Sequence, residues 1–482
     1  MGVKSHSRQL SGGAAWNYLA QLLTIVIQLG YAAFTSRLVG PEGFGNYAVA
    51  LSVSGLVGMV ASGGLTYAAG RLQSVETKIL RGLNTYALLI GAATAGFLLA
   101  TAGFWAWLWG AAGASDAMRV LSIGAFLTPW QSLVSGIVLR LGRYRSFAAT
   151  IFLANTIGMA VGAAAVLSNG TGTALAVAPV TTSLVCVLAL HAQTRFKYFG
   201  LGSLGAAIGE LRYSWNVTGS NLLSYISNTV SRWSVSVNVG PAALGQWNRA
   251  EAVSTVPFHT FQTAIGQVIF PQFRHDIHDP ARARRIWPDL IALIAWVTFP
   301  AGCALAVLLP ILIPILFGPG WDEAAALAPL LAIIAGIQPV IGILNSAVLA
   351  IGRGSWFAVT EISVMVVQSS VAVAVLVTRD LGVAVWGLLL AGLIQHAWQL
   401  GLCHHAGYVR VQAVLASYLP VAAFGALVAT QVWLCVTLVQ LAVANPLLWA
   451  ALAAYIAVVA LVIWRLREAF PPVKIARRYS LI

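Results

Sequence analysis

The stretch 83–110, LNTYALLIGAATAGFLLATAGFWAWLWG, decides the class of fold. About 20 apolar residues in an α-helix cross a ~30 Å hydrocarbon core, and blocks of this kind recur along all 482 residues. Transmembrane β-strands would be about half as long and would alternate polar with apolar side chains, a pattern this chain lacks. Hydrophobic residues make up 59% of the chain and charged residues 8%, against roughly 25% charged in a soluble domain. Such a surface does not face water. The reading predicts an all-α polytopic membrane protein with about fourteen transmembrane helices. They fall at 15–36, 44–68, 83–110, 117–139, 147–168, 171–192, 215–237, 247–270, 288–317, 323–350, 356–377, 383–403, 414–439 and 446–464. Pro300, Pro310 and Pro314 make the ninth span a candidate for a kink. No cleavable signal sequence is expected, because Met1–Ser11 is polar and the first apolar block is too long for a signal core.

The formal net charge of +14 taken alone suggests nucleic acid, but its placement argues against that partner. Counting loops alternately from the N-terminus, 22 of the 27 Lys and Arg fall on one side. Cytoplasmic loops are the ones enriched in basic residues. Both termini are therefore expected in the cytoplasm, the helix count is even, and the chain belongs in the inner (cytoplasmic) membrane among bilayer lipids. The other five cations are Arg37, Arg119, Arg232, Arg249 and Arg379. Cys186, Cys303, Cys403 and Cys435 lie in apolar spans, at spacings that suggest core packing rather than a disulfide framework or a zinc site.

An internal repeat organises the spans. Val39-Gly40-Pro41 is followed by Gly45, Tyr47 and Ala50; 200 residues on, Val239-Gly240-Pro241 is followed by Gly245, Trp247 and Ala250. Gly142-Arg143 with Phe147-Ala148 recurs as Gly352-Arg353 with Phe357-Ala358. Both copies begin on the cytoplasmic side, which predicts two parallel six-helix repeats forming two lobes, with two extra C-terminal helices. The expected division is a lobe over 1–192, a cytoplasmic linker over 193–214, a second lobe over 215–403, two further helices over 404–465 and a basic cytoplasmic tail over 466–482.

Polar residues inside the spans mark the candidate site. The first span carries Asn17, Gln21, Thr24, Gln28, Tyr31 and Thr35 at alternating steps of three and four, which keeps one helix face polar. Asn221, Ser224, Asn228 and Ser231 occupy the equivalent places of the seventh span, with Arg232 beside them, and the eighth adds Glu251, Thr255, His259 and Gln262. Amides in hydrocarbon are costly unless they meet partners or water. Dry helix–helix bonding and a hydrated cavity both satisfy them, and recurrence at repeat-related positions favours the cavity. Arg232 is the most deeply placed cation, a functional candidate because burying it costs at least a few kcal/mol. Arg37 and Arg249 lie nearer the outer rim, where snorkelling to headgroups competes with a role in the site. Arginines with few carboxylates at depth point to an anionic substrate.

Several runs resemble a known family. Ala15-Trp16-Asn17, Ser36-Arg37-Leu38-Val39-Gly40-Pro41, Phe44-Gly45-Asn46-Tyr47, Ile269-Phe270-Pro271 and Phe317-Gly318-Pro319-Gly320-Trp321 look like polysaccharide flippases of the multidrug/oligosaccharidyl-lipid/polysaccharide exporter superfamily. The resemblance implies a two-lobed fold whose central cavity opens alternately to each face. It also implies a glycan on a polyprenyl pyrophosphate as cargo, no cofactor, and a glycan polymerase or glycosyltransferases of the same pathway as neighbours. By match, Arg37 and Arg232 occupy often-basic positions. Ser231 stands where many relatives carry an acid, and Gly63-Gly64 where Asp-Gly is frequent.

The expected function is thus a flippase, with Arg232, Arg37, Arg249, Gln28, Asn228, Gln21 and Asn221 contacting substrate. A cation-coupled multidrug antiporter is the alternative, and it would want a carboxylate deep in a lobe. A membrane glycosyltransferase or acyltransferase would want an acidic pair or a His in a substantial loop. Asp322-Glu323 reads instead as helix N-terminal acids, and His404-His405 and His275/His278 as solvated loop residues. No nucleotide-binding P-loop is present in the sequence.

Overall fold

A computed structural model describes residues 23–72, 77–194, 200–352, 354–444, 455, 465 and 470–478. Among them every regular element is helical. Helix α1 covers 23–38, followed by α2 (Pro41–Ser62), α3 (Leu65–Arg71), α4 (Thr77–Leu108), α5 (Ala114–Arg140), α6 (Tyr144–Asn169) and α7 (Val177–Gln193). The second half runs α8 (Ile208–Asn238), α9 (Pro241–Asp276), α10 (Pro280–Phe317), α11 (Asp322–Ile351), α12 (Gly354–Thr378), α13 (Leu381–His405) and α14 (Val411–Ala444), and the short α15 (Pro471–Arg478) ends it.

Ten of these helices are long and apolar enough to cross a membrane. The predicted seventh and eighth spans correspond to α8 and α9, helices of 31 and 36 residues that are absent from those ten. Their length suffices; their polar stripes dilute the hydropathy. The first predicted span begins before the described residues, and the fourteenth, 446–464, lies almost wholly outside them. The predicted ninth span forms a single helix that includes its prolines, with Pro288 as a fourth.

One span differs from its prediction. The stretch 44–68 is broken, because Gly63 and Gly64 both adopt left-handed backbone (φ 47° and 68°) and end α2 before α3 restarts. A residue with a Cβ resists that conformation, while glycine enters it freely and Asp or Asn with modest cost.

The chain divides into two compact units. One comprises residues up to Arg249 with Leu316–Trp321 and Gln368–Ala384; the other comprises Ala250–Ile315, Asp322–Val367 and Val385 onward. In the first, small residues let helices approach closely: a Cβ on Gly158 or Gly162 of α6 would collide with Thr182 or Ala178 of α7, the small-residue seam typical of packing in lipid. The second is organised around Trp287, fully buried against Phe273 and stacked on Tyr408 at 5.1 Å. Its indole faces the buried Asp276, which Arg282 approaches at 3.4 Å. Cys186, Cys303 and Cys403 are buried free thiols, and Cys435 is half-buried.

Candidate functional site

The two Val-Gly-Pro turns meet inside the first unit. Gly45 sits against the carbonyl of Pro241, and Gly245 against the carbonyl of Pro41, so closely that a Cβ at either glycine would overlap that peptide. Neither contact admits any other residue. The repeat in the sequence is therefore a reciprocal contact in space.

Further bonds extend the reciprocity. The end of α1 is tied to the turn after α10: Trp321 Nε1 donates to Ser36 O (3.1 Å) and Arg37 Nε to Leu316 O (3.1 Å). The end of α8 is tied to the turn after α4: Trp233 Nε1 donates to Leu108 O (3.0 Å) and Ser236 Oγ to Trp109 O (2.8 Å). Each copy thus closes on the turn belonging to the other. Asn46 packs over Gly113, while its repeat counterpart Gln246 donates to Gly320 O at 2.7 Å.

Arg249 stands over one member of an aromatic pair, and Arg37 bonds to the segment that carries the other. Phe44 lies edge-on to Trp321 with ring centres 5.6 Å apart, and the Arg249 guanidinium carbon stands 4.2 Å above the Phe44 ring. A desolvated cation over a ring gains about 2 kcal/mol. Arg249 Nη2 donates to Asn248 Oδ1 (2.9 Å), but its Nε is buried without a partner among the described residues, as is the hydroxyl of Tyr31. Arg37 is exposed; Arg249 is half-buried.

Arg232 is carried by the helix that leads into the second Val-Gly-Pro turn. It is half-buried on α8, within electrostatic reach of Tyr225, two helical turns earlier on the same face. Its neighbours in sequence hold the helix in place: Ser231 bonds to Gln368 of α12, and Ser234 Oγ donates to Ala372 O at 2.7 Å, all four residues buried. Ser231 thus contributes a neutral, satisfied hydrogen bond at its place on α8.

The polar stripes do not share one environment. Asn228 is exposed and bonds back to Ser224 O, whereas Ser231 is fully buried. On α1, Gln28 is half-buried while Thr35 is buried and bonds to Tyr31 O. Gln21 and the side chain of Asn221 lie outside the described residues. On α9, Thr255 bonds to Glu251 O and the Gln262 amide packs over Gly342. Sequence reasoning passed over Phe44, Trp233, Ser236 and Gln368 as parts of the site. The offset of 200 could have found Trp233 and Ser236, since they fall in the copy of the turn that Ser36 and Arg37 mark in the first.

Comparison with known proteins agrees with this architecture. The chain is 24% identical over 357 residues to the succinoglycan biosynthesis transport protein ExoT of Rhizobium meliloti, covering 73% of this chain and 72% of that one. It is 23% identical to the lipopolysaccharide biosynthesis protein WzxC of Escherichia coli, covering 71% and 70%. Its fold is similar to that of the lipid II flippase MurJ in an inward closed conformation (TM-score 0.70, 13% identity, 93% of this chain and 99% of that one). It is also similar to an inward-facing multidrug resistance MATE family transporter of the MOP superfamily (TM-score 0.61, 15% identity, 85% and 98%). Residues 34–326, more than half of the chain, match one family throughout. With its all-helical, membrane-spanning build, the chain belongs to the polysaccharide biosynthesis protein family.

Proposed function

We infer that this chain is a transporter that moves a polyprenyl-pyrophosphate-linked oligosaccharide from the inner to the outer leaflet of the cytoplasmic membrane. The observation that carries the reading is an asymmetry in the repeat. Arg232, Arg249 and Arg37 have Ala32, Val49 and Val237 as counterparts at the offset of 200. The other copy has an uncharged side chain at each of these positions. Three arginines within or at the ends of membrane spans make the candidate site cationic, which suits an anionic substrate. Membrane potential, negative inside, favours outward movement of an anion by roughly 2.3 kcal/mol per charge per 100 mV. Most of the lipid tail stays in the bilayer throughout. Enzymes that build or polymerise the same glycan are the partners expected beside it.

Cells lacking the protein should accumulate a polyprenyl-linked glycan, measurable by lipidomics. Wild-type protein should clear it, and Arg232→Ala at equal membrane abundance should not. Arg232→Lys should clear it in part, because the charge survives while the planar fork that matches phosphate oxygens is lost. Full clearance by Arg232→Ala would remove that arginine from the site. Both termini are placed in the cytoplasm on the basis of the charge asymmetry. Single cysteines at Ser203 and Gly240 should then label from opposite faces, and labelling from one face would refute the orientation.

A second reading has one observation in its favour. Glu361 of α12 is a buried carboxylate, the kind of group a cation-coupled multidrug antiporter needs. Drug resistance conferred by the wild type and lost in Glu361→Gln would support it.

A further inference from the structure

Beside Arg232 the first unit contains a cavity of about 250 Å³ between α2, α4 and α8. Its walls include Trp105, Trp109, Tyr225 and Trp233, with Leu56 and Ile226. The polar ends of three of the four aromatics are already engaged. Trp233 Nε1 donates to Leu108 O, Tyr225 OH to Ser52 O (2.8 Å) and Trp105 Nε1 to Thr101 Oγ1 (3.1 Å). The occupant is therefore offered flat aromatic faces and aliphatic carbon, and few hydrogen bonds. An apolar cavity open at one side, like this one, favours hydrocarbon over water. Gly55 belongs to the same construction, since a Cβ there would collide with the Tyr225 hydroxyl.

The polar stripe of α8 adjoins this wall. Tyr225 lines the cavity, and Arg232, two turns on, lies within electrostatic reach of its ring. One helix thus presents hydrocarbon-binding surface and a cation side by side, which suits an amphiphile with an anionic head and an apolar chain. We propose that this cavity seats the first units of the substrate's isoprenoid chain while Arg232 meets its phosphate, and that it does so on the outer side of the membrane. The proposal rests on the flippase reading and extends it by locating the tail. On the proposed orientation α8 runs outward, so Arg232 lies on the outer side of the cavity. A lipid in the outer leaflet has that arrangement, with head outward and chain toward the midplane. Isoprenoid chains, methyl-branched and unsaturated at intervals, present planar segments that stack on indole and phenol faces; saturated acyl chains have none.

The test is equilibrium photolabelling of the full chain in lipid nanodiscs, with labelled peptides mapped by mass spectrometry. Three diazirine probes are compared: a polyprenyl phosphate, the uncharged polyprenol, and phosphatidylglycerol. The polyprenyl phosphate should label peptides carrying Leu56, Ile226 or Val230 about tenfold more than phosphatidylglycerol does. Filling the cavity from either of two helices, with Leu56→Trp or Ile226→Trp, should remove that labelling. Arg232→Ala should weaken labelling by the phosphate but not by the polyprenol. Equal labelling by phosphatidylglycerol would mean that ordinary bilayer chains occupy the cavity, and unchanged labelling in both filled variants would place the probe elsewhere. Either result overturns the proposal. Labelling as expected in a protein whose loss leaves cellular glycan lipids unchanged would keep the tail site and reject the flippase reading, so the two can fail separately.

Discussion

The Val39-Gly40-Pro41 and Val239-Gly240-Pro241 turns are two versions of one device, and they differ in an instructive way. Their backbones are interchangeable: each lays a glycine four residues after the proline against the other's proline carbonyl. Their side-chain ties are not. The first copy is held by an indole donating into it and by the Arg37 guanidinium reaching out. The second is held by a neutral indole and a hydroxyl. Where the contact is backbone against backbone the repeat tolerates no divergence; where it is made by side chains one copy has acquired charge. Steric exclusion accounts for the identity of the first kind of contact, and nothing of that kind constrains the second.

The sharpest way to break this comparison is to restore the missing side chain. Gly45→Leu and Gly245→Leu each force bulk into a peptide plane that cannot move without displacing its helix. Overpacking of this severity should cost about 3 kcal/mol or more. Both variants should show sharply reduced yields of monodisperse protein and lower thermal midpoints, and to a similar degree. A large loss in one and none in the other would show that the contact is not reciprocal.

A smaller effect should separate the copies. Arg249→Leu keeps the bulk over Phe44 and removes the charge, while position 49 is already Val. Stability should stay within about 2 kcal/mol of the parent, the size of the cation–π contribution removed. Glycan export should fall at least about tenfold, in line with loss of a charge-assisted hydrogen bond of roughly 1.5–3 kcal/mol to the substrate. Lowered stability with normal export would make Arg249 a brace for Phe44 and nothing more.

These cases show why some features could be read from the sequence and others could not. Apolar blocks long enough to span a bilayer announce themselves, because lipid leaves the backbone no alternative to a helix. Gly45 and Gly245 stood out because a close approach admits only one residue type. The break at Gly63-Gly64 was hidden inside an apolar run: hydropathy averages over a window and does not register two consecutive left-handed residues. The stripes were legible as stripes, but not as environments. Asn228 and Ser231 share a face by periodicity, yet Ser231 meets Gln368, 137 residues away, and only the tertiary fold decides which of the two is buried. Likewise the sequence places Arg249 near the rim but does not show Phe44, seven helices earlier in the chain, which only the fold brings beneath it.

The smallest expected effect tests whether the two side-chain ties are equivalent once charge is set aside. Trp321→Phe and Trp233→Phe each delete one indole donor and retain an aromatic ring. In the first, Ser36 O loses the donation from Trp321; in the second, Leu108 O loses its partner. A buried carbonyl left without a donor costs about 1–3 kcal/mol, and a typical net hydrogen bond about 1. Trp321 is almost fully buried and is also packed edge-on against Phe44 and Phe317, so its replacement should sit near the top of that range. Trp233 is half-buried beside the cavity, where the freed carbonyl has more room to adjust, so its replacement should sit near the bottom. Thermal midpoints of the two variants in the same detergent would measure the difference. If Trp233→Phe proved the more damaging, the copy without the arginine would depend more on its indole, and Arg37 would have to be credited with bracing the first turn as well as with any role toward substrate.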